Sequence, residues 1–202
     1  MANKDHTLDN PIITASLNEF LQNGYEKTSL RKIAANANVT VGAIYTRYST
    51  KDQLFCSLVE PLLHKIEEVF RSLKIEFSKE QNHSYTDSFA QLLKKENDVI
   101  LRLLFENYDQ SVLLLCKSNG SSLENFFDLV IERKIKETIH FFQYSNIKHP
   151  DNTILKILIT GQFHMYDQII RGGYSLEDSK RIMNTVMQYH LGGWISLFNM
   201  YS

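Results

Sequence analysis

Apolar positions along this 202-residue chain recur at three- and four-residue spacings over most of its length, which predicts helix almost throughout. Ile13, Leu17, Phe20 and Leu21 form one stripe. Asn10 is placed to cap that helix, Pro11 suits its first position, and Gly24 suits a left-handed stop. Thr28 reads as the cap of a second helix, in which Leu30, Ile33, Ala34 and Ala37 keep the period for only about two turns. The stretch "NANVT" then breaks the pattern. Asn38 tolerates positive φ and predicts a tight turn, and Thr40 caps a third helix from Val41 to Arg47 or Tyr48. Thr50-Lys-Asp-Gln53 is a capping box for a fourth.

The remainder reads as longer helices. Asp52 to Phe77 carries Leu54, Leu58, Leu62, Ile66 and Val69 on one side, and Pro61 inside it predicts a kink. Helices follow at Thr86 to Lys94, Asn97 to Glu106 and Ser122 to Tyr144, with Ser111 to Cys116 read as an extension of the second. Asn152 to Arg171 is apolar on nearly all sides, the pattern of a helix covered all round. In a chain this size the outer cover is expected from a second subunit. Gly172-Gly173 ends this helix, and Ser175 opens the last, Leu176 to Met200. The expected fold class is all-α: a three-helix helix-turn-helix domain at residues 1–54 and a larger helical domain at residues 55–202.

Composition adds few constraints. No apolar run approaches the roughly 18 residues of a membrane span. The start "MANKDHTLDNP" is polar and lacks an apolar signal segment, so a cytoplasmic protein is expected. Cys56 and Cys116 fit no metal spacing and read as ordinary buried thiols, with a redox switch as the alternative. No phosphate loop, nucleophile elbow or Cys/His cluster is present, and the histidines are scattered, so neither an enzyme nor a bound cofactor or metal is expected.

Charge changes the picture more. The net charge of −1 argues against a dedicated nucleic-acid binder. Yet Lys27 to Lys51 contains Lys27, Arg31, Lys32, Arg47 and Lys51 and no Asp or Glu, so this window is +5 and the rest of the chain −6. An electropositive region inside a mildly acidic protein is the footprint phosphate binding needs. It coincides with the two short helices. Val41, Gly42 and Ala43 leave the start of the third helix nearly bare, so it can approach a base edge or a phosphate closely. Ile44 and Tyr48, four apart, face the core; Tyr45, Thr46 and Arg47 face elsewhere. A helical hairpin used only for packing fits the periodicity but not the charge.

The run "IITASLNEFLQNGYEKTSLRKIAANANVTVGAIYTRYSTKDQLF", Ile12 to Phe55, resembles the DNA-binding domain of the TetR/AcrR family of bacterial transcriptional regulators. The resemblance rests on the Phe20…Gly24-Tyr25 helix end, Thr28-Ser29-Leu30, Ile33-Ala34, Val39-Thr40, Gly42, Ile44-Tyr45 and the Ser49-Thr50-Lys51-Asp52 corner. It implies phosphate contacts from Thr28, Tyr45, Arg47 and Lys51, with Arg31 in the same basic window, and groove contacts from Thr40, Val41, Gly42 and Thr46. Asn38 stands where the family usually has Gly. Val41 and Ala43 replace polar positions, which favours contact with thymine methyl groups over hydrogen-bond reading there. The resemblance further implies a homodimer on double-stranded operator DNA, acting as a repressor released by a small apolar or amphipathic effector, with no membrane partner. It places a dimer interface on the last two helices, for which Gly161, Met165, His190, Gly193, Trp194 and Leu197 are candidates. It places an effector pocket among the middle helices, for which Phe105, Tyr108, Phe126, Phe127, Val130, Phe163 and Tyr166 are candidates. The rival reading is a helical ligand-binding or scaffold protein whose helix-turn-helix makes only protein contacts.

Overall fold

The computed structural model describes residues 9–77 and 85–202; the first eight residues of the polar start lie outside the described residues. The described residues form α1 (Asp9–Lys27), α2 (Leu30–Asn36), α3 (Val41–Arg47), α4 (Lys51–Phe77), α5 (Tyr85–Glu106), α6 (Tyr108–Cys116), α7 (Phe126–Tyr144), α8 (Asn152–Gly172) and α9 (Leu176–Tyr201), with no strand among them. No helix among the described residues is long and apolar enough to cross a membrane. Two compact units emerge. The first holds the described residues up to His64 together with Asn107–Asn125; the second holds Lys65–Glu106 and Phe126–Ser202. This division differs from a boundary after residue 54, for two reasons. Phe55 is fully buried against Phe20 and Tyr25, with ring centroids 5.1 and 5.3 Å apart. And α6 packs on α1, with the Tyr25 N–H donating to the Lys117 carbonyl just beyond α6 at 2.8 Å.

In the first unit α1 is interrupted at Gly24, whose φ of 73° only glycine adopts readily. The buried face of α1 is Ile12, Ala15, Ser16, Glu19 and Phe20, while Ile13, Leu17 and Leu21 are half-buried. The stripe is turned from the expected one because α1 is covered from two directions, by α2 and by α6. Thr28 does not cap α2; Ser29 holds that position. The Thr28 hydroxyl instead donates back to the carbonyls of Gly24 at 2.6 Å and Glu19 at 3.3 Å, so it closes α1. Asn38 has φ 53° and makes the turn, with the Val39 N–H donating to Ala34. The Thr40 side chain accepts from the Ala43 N–H at 3.1 Å and starts α3. At α4 the Thr50 hydroxyl accepts from the Gln53 N–H, and the Gln53 side chain reaches back one residue further than expected, to the Ser49 N–H. The helix runs through Pro61 as one element; Pro61 is exposed.

In the second unit α5 is one helix rather than two, and the stretch expected to extend it forms a separate helix, α6, of the first unit. An aromatic cluster forms the core: Phe198 lies 4.9 Å from Phe89 and 5.0 Å from Phe142, and Phe89 lies 5.1 Å from Phe141. Burying each such ring stabilises by about 1.5–3 kcal/mol. The buried Trp194 indole N–H donates to Gln162 Oε1 at 2.9 Å, tying α9 to α8. α8 ends at Gly173, φ 63°, and α9 starts at Ser175, whose hydroxyl accepts from the Asp178 N–H. Within the protomer α8 is not covered all round: Leu155, Ile159 and Phe163 are buried, but Ile154, Ile157 and Leu158 are exposed.

The left-handed turn at Asn38 sets the angle between α2 and α3, and it admits a direct check. Asn38→Gly will leave unfolding unchanged or slightly raise stability. Asn38→Val will lower it by about 1–2 kcal/mol, measured by urea denaturation, because a β-branched residue clashes at positive φ. Equal stability of the two variants would show that the turn is not left-handed.

Candidate nucleic-acid interface

The third helix is too short to hold itself and depends on one anchor. Ile44 is 1% exposed and packs inward. Tyr48, at its end, is only half-buried. On the other side Tyr45 is 52% exposed and Thr46 is exposed, while Arg47 is half-buried with its Nη1 donating to the Ala43 carbonyl at 3.3 Å. The Thr46 hydroxyl donates to the Gly42 carbonyl at 2.9 Å, which leaves its lone pairs outward. Thr40 uses its oxygen as the cap and keeps its own O–H to give. Val41 is half-buried and Gly42 exposed. A Cβ built on Gly42 meets only the Thr40 hydroxyl, at 3.7 Å, an ordinary contact. The fold therefore does not require glycine there, and the bare surface faces outward.

Around this helix lie the cations. Arg31 and Lys32 are exposed on α2, which packs against α3. Lys51 is engaged: its Nζ donates to the Tyr25 carbonyl at 2.9 Å and the Glu26 carbonyl at 3.4 Å, and it lies 4.4 Å from the Tyr25 ring centroid. An ammonium has three donors, so one remains for a phosphate. Thr28 is buried, with its hydroxyl spent on α1 carbonyls, and does not belong to the exposed surface. So eight of the nine expected DNA contacts, Thr28 excepted, have some exposed surface within the first unit. The partnership of Lys51 with Tyr25 lies 26 residues apart in sequence and has no local signature.

Next to Lys51, Asp52 accepts from the Ser122 N–H at 2.9 Å. Burial acts to raise its carboxyl, but hydrogen bonds from Ser122, Cys56 and Tyr25 outweigh burial and hold it below the ordinary range. Burial pushes the Cys56 thiol up, and the nearby Asp52 charge adds to this despite a contact with the Ser122 hydroxyl at 3.3 Å. That keeps Cys56 in the thiol form, the opposite of what an oxidant sensor needs.

The second unit contains a cavity of about 220 Å³. Phe70, Phe89, Glu96, Lys134, Phe141 and Trp194 are among the residues that line it. None of Phe105, Tyr108, Phe126, Phe127, Val130, Phe163 and Tyr166 does. Tyr166 is core: it is 4% exposed, its hydroxyl donates to Asn97 Oδ1 at 3.3 Å, and burial pushes the phenol well up. Phe163 is buried beside the rings of Phe127 and Tyr166. Phe105, Phe126, Phe127 and Val130 are half-buried, and Tyr108 falls in the first unit. Of the dimer candidates, Met165 and Trp194 are buried inside the protomer, while His190 and Leu197 are half-buried, and burial lowers the His190 pKa. Gly161 and Gly193 are exposed, and an added Cβ at either would meet only open space. Ile154, Ile157 and Leu158 on α8, and Tyr189 on α9, are large exposed apolar residues that the candidate set lacked.

Residues 12–58 match the family model of bacterial regulatory proteins of the tetR family. No curated protein sequence matches the chain. A TetR-like transcriptional regulator from Rhodococcus sp. RHA1 superposes with a TM-score of 0.61 at 15% identity, over 93% of this chain and 97% of the other. FadR from Bacillus subtilis, solved with stearoyl-CoA, gives 0.59 at 18% identity, over 92% and 98%. The TetR family regulator PfmR from Thermus thermophilus gives 0.60 at 14% identity, over 89% and 93%. At these identities the likeness establishes the fold.

Two substitutions separate fold from surface on α3. Gly42→Ala will raise domain stability by about 0.5–1 kcal/mol, since alanine is the better helix former, and will weaken DNA binding by filling the bare face. Tyr45→Ala will leave stability within about 0.5 kcal/mol, whereas Ile44→Ala will lose about 2–5 kcal/mol. Thermal melts beside a gel-shift titration measure both. Unfolding of the Tyr45 variant would make that ring a core residue.

Proposed function

From a tetR-family DNA-binding domain on a TetR-family regulator fold, we infer that this chain is a cytoplasmic, homodimeric, non-enzymatic transcriptional repressor released from its operator by a small molecule. The observation that carries the reading is the exposed side of α3. Ile44 alone anchors the helix, and the opposite face is left to Gly42, Tyr45 and Thr46, inside a window of five cations and no carboxylate. Phosphates are met by Arg31, Tyr45, Arg47 and Lys51, and the groove by Thr40, Val41, Gly42 and Thr46. Base-edge polarity is low at Val41 and Ala43, so thymine methyl groups are the natural partners there.

A second copy supplies cover for the exposed Ile154, Ile157 and Leu158 of α8 and Tyr189 of α9. Gly161, Gly192 and Gly193, each with open space where a Cβ would stand, permit close helix approach. Two recognition helices then meet two half-sites spaced by the DNA repeat of roughly 34–36 Å. The cavity in the second unit serves the effector. Phe70 and Leu73 of α4 line it, and the same helix begins at Lys51. FadR from Bacillus subtilis, of the same fold, was solved with a bound acyl-CoA, which supports a ligand in this fold. A hundredfold loss of operator affinity requires about 2.7 kcal/mol of difference in ligand binding between the two states.

Gel shift on the chain's own upstream DNA tests the reading. Binding will fall steeply with salt, and Arg31→Ala and Lys32→Ala will each weaken it for all sequences and reduce the salt slope by about one. Ile157→Glu will give a helical monomer by sedimentation that no longer holds the operator. A wild-type protein that is monomeric and indifferent to duplex DNA in dilute buffer overturns the proposal.

A further inference from the structure

We propose that the cavity of the second unit takes a small apolar amine, whose protonated nitrogen is received by the Glu96 carboxylate. This rests on the effector reading above and names its ligand class. Glu96 on α5 lines the cavity and is 3% exposed. Lys134 Nζ lies 2.5 Å from Oε2 of this carboxylate. The other oxygen, Oε1, is buried and has no hydrogen-bond partner in the protein.

The surrounding ion pairs lead to that oxygen. Arg133 pairs with Glu67 at 2.6 Å and with Glu137 at 3.1 Å, and Lys134 lies 3.8 Å from Glu137 as well as holding Glu96. These residues form one chain whose unfilled acceptor is at its buried end, and Lys136 and His140 also line the cavity. An incoming ammonium supplies the missing donor. An incoming carboxylate supplies no donor, and the Lys134 ammonium already serves two carboxylates.

The walls fit a cation with an apolar body. Phe70, Phe89, Phe141 and Trp194 line the cavity, and aromatic faces attract ammonium groups. The Phe70 face already holds a guanidinium, that of Arg133, at 4.7 Å. Size restricts the body. An apolar cavity of about 150 Å³ holds benzene, so the 220 Å³ here suits roughly ten heavy atoms.

The test uses the full chain and three matched probes: 3-phenylpropylamine, 3-phenylpropanol and 3-phenylpropionate, by calorimetry and thermal shift at pH 7. The amine is expected to bind at least about tenfold tighter than either isostere. Glu96→Gln will remove that preference while leaving the alcohol bound. Should Glu96→Gln fail to fold, Lys134→Met decides the point: the amine will bind it at least as tightly as wild type and restore its lost melting temperature. No binding of the amine at millimolar concentration, or equal or tighter binding of the alcohol or acid, overturns the inference, as does an amine affinity that Glu96→Gln leaves unchanged. An operator-release assay separates the two claims. If the acid binds and releases DNA, the effector reading stands and the amine falls. If the amine binds, is blocked by Leu93→Trp, and leaves operator affinity unchanged, the ligand class stands and the effector reading falls.

Discussion

The contact on which the rest depends is the meeting of Phe20, Tyr25 and Phe55 under the ammonium of Lys51. A seven-residue helix has no independent stability in water. With only Ile44 fully buried, α3 takes its direction from the helices around it. Those helices are fixed to one another by this aromatic contact, which joins the end of α1 to the start of α4. Lys51 completes it by donating to the Tyr25 and Glu26 carbonyls, groups that the end of a helix leaves without intrahelical partners. One side chain thus closes a helix, sits on an aromatic face and contributes charge to the tip proposed to meet DNA. Its role in shape and its proposed role in binding are inseparable, unlike those of Arg31 and Lys32, which stand exposed.

What could be read from the sequence follows from the range of each interaction. Asn38, Thr40, Thr50, Gly173 and Ser175 were legible because turn and cap chemistry acts within about four residues. Thr28 was not, because the same residue type can open the following helix or close the preceding one. The choice is made by the Glu19 carbonyl, nine residues back. The α1 stripe was legible as a helical face but not in its angle, since periodicity carries no information about two unequal neighbours.

The second unit was legible only as helices. Aromatic residues fill cores and line cavities alike, so Tyr166 and Phe163 looked like pocket walls and proved to be core. Trp194 beside Gly193 looked like an interface residue. An indole N–H needs an acceptor when buried, and Gln162 provides one inside the protomer. Glu96 gave no signal at all: among the charged residues of α5 nothing local marks the one whose partner lies 38 residues away. The all-round apolar pattern of α8 led to the expectation of an outer cover beyond the protomer, and Ile154, Ile157 and Leu158 are indeed left exposed by it.

The omission of Glu96 bears on the source of the energy for the proposed switch. A buried acceptor left without a donor costs about 1–3 kcal/mol. Coupling that changes DNA affinity a hundredfold needs about 2.7 kcal/mol. The unsatisfied oxygen of Glu96 is therefore a deficit of the right size, held in the protein before any ligand arrives. Satisfying it contributes to switching only to the extent that the ligand-filled cavity and the DNA-bound form require different positions of the same helix. Phe70 and Leu73, in the cavity wall, and Lys51, at the tip, belong to one uninterrupted α4. In the proposed switch, α4 is the element that would carry a displacement from the wall toward Lys51.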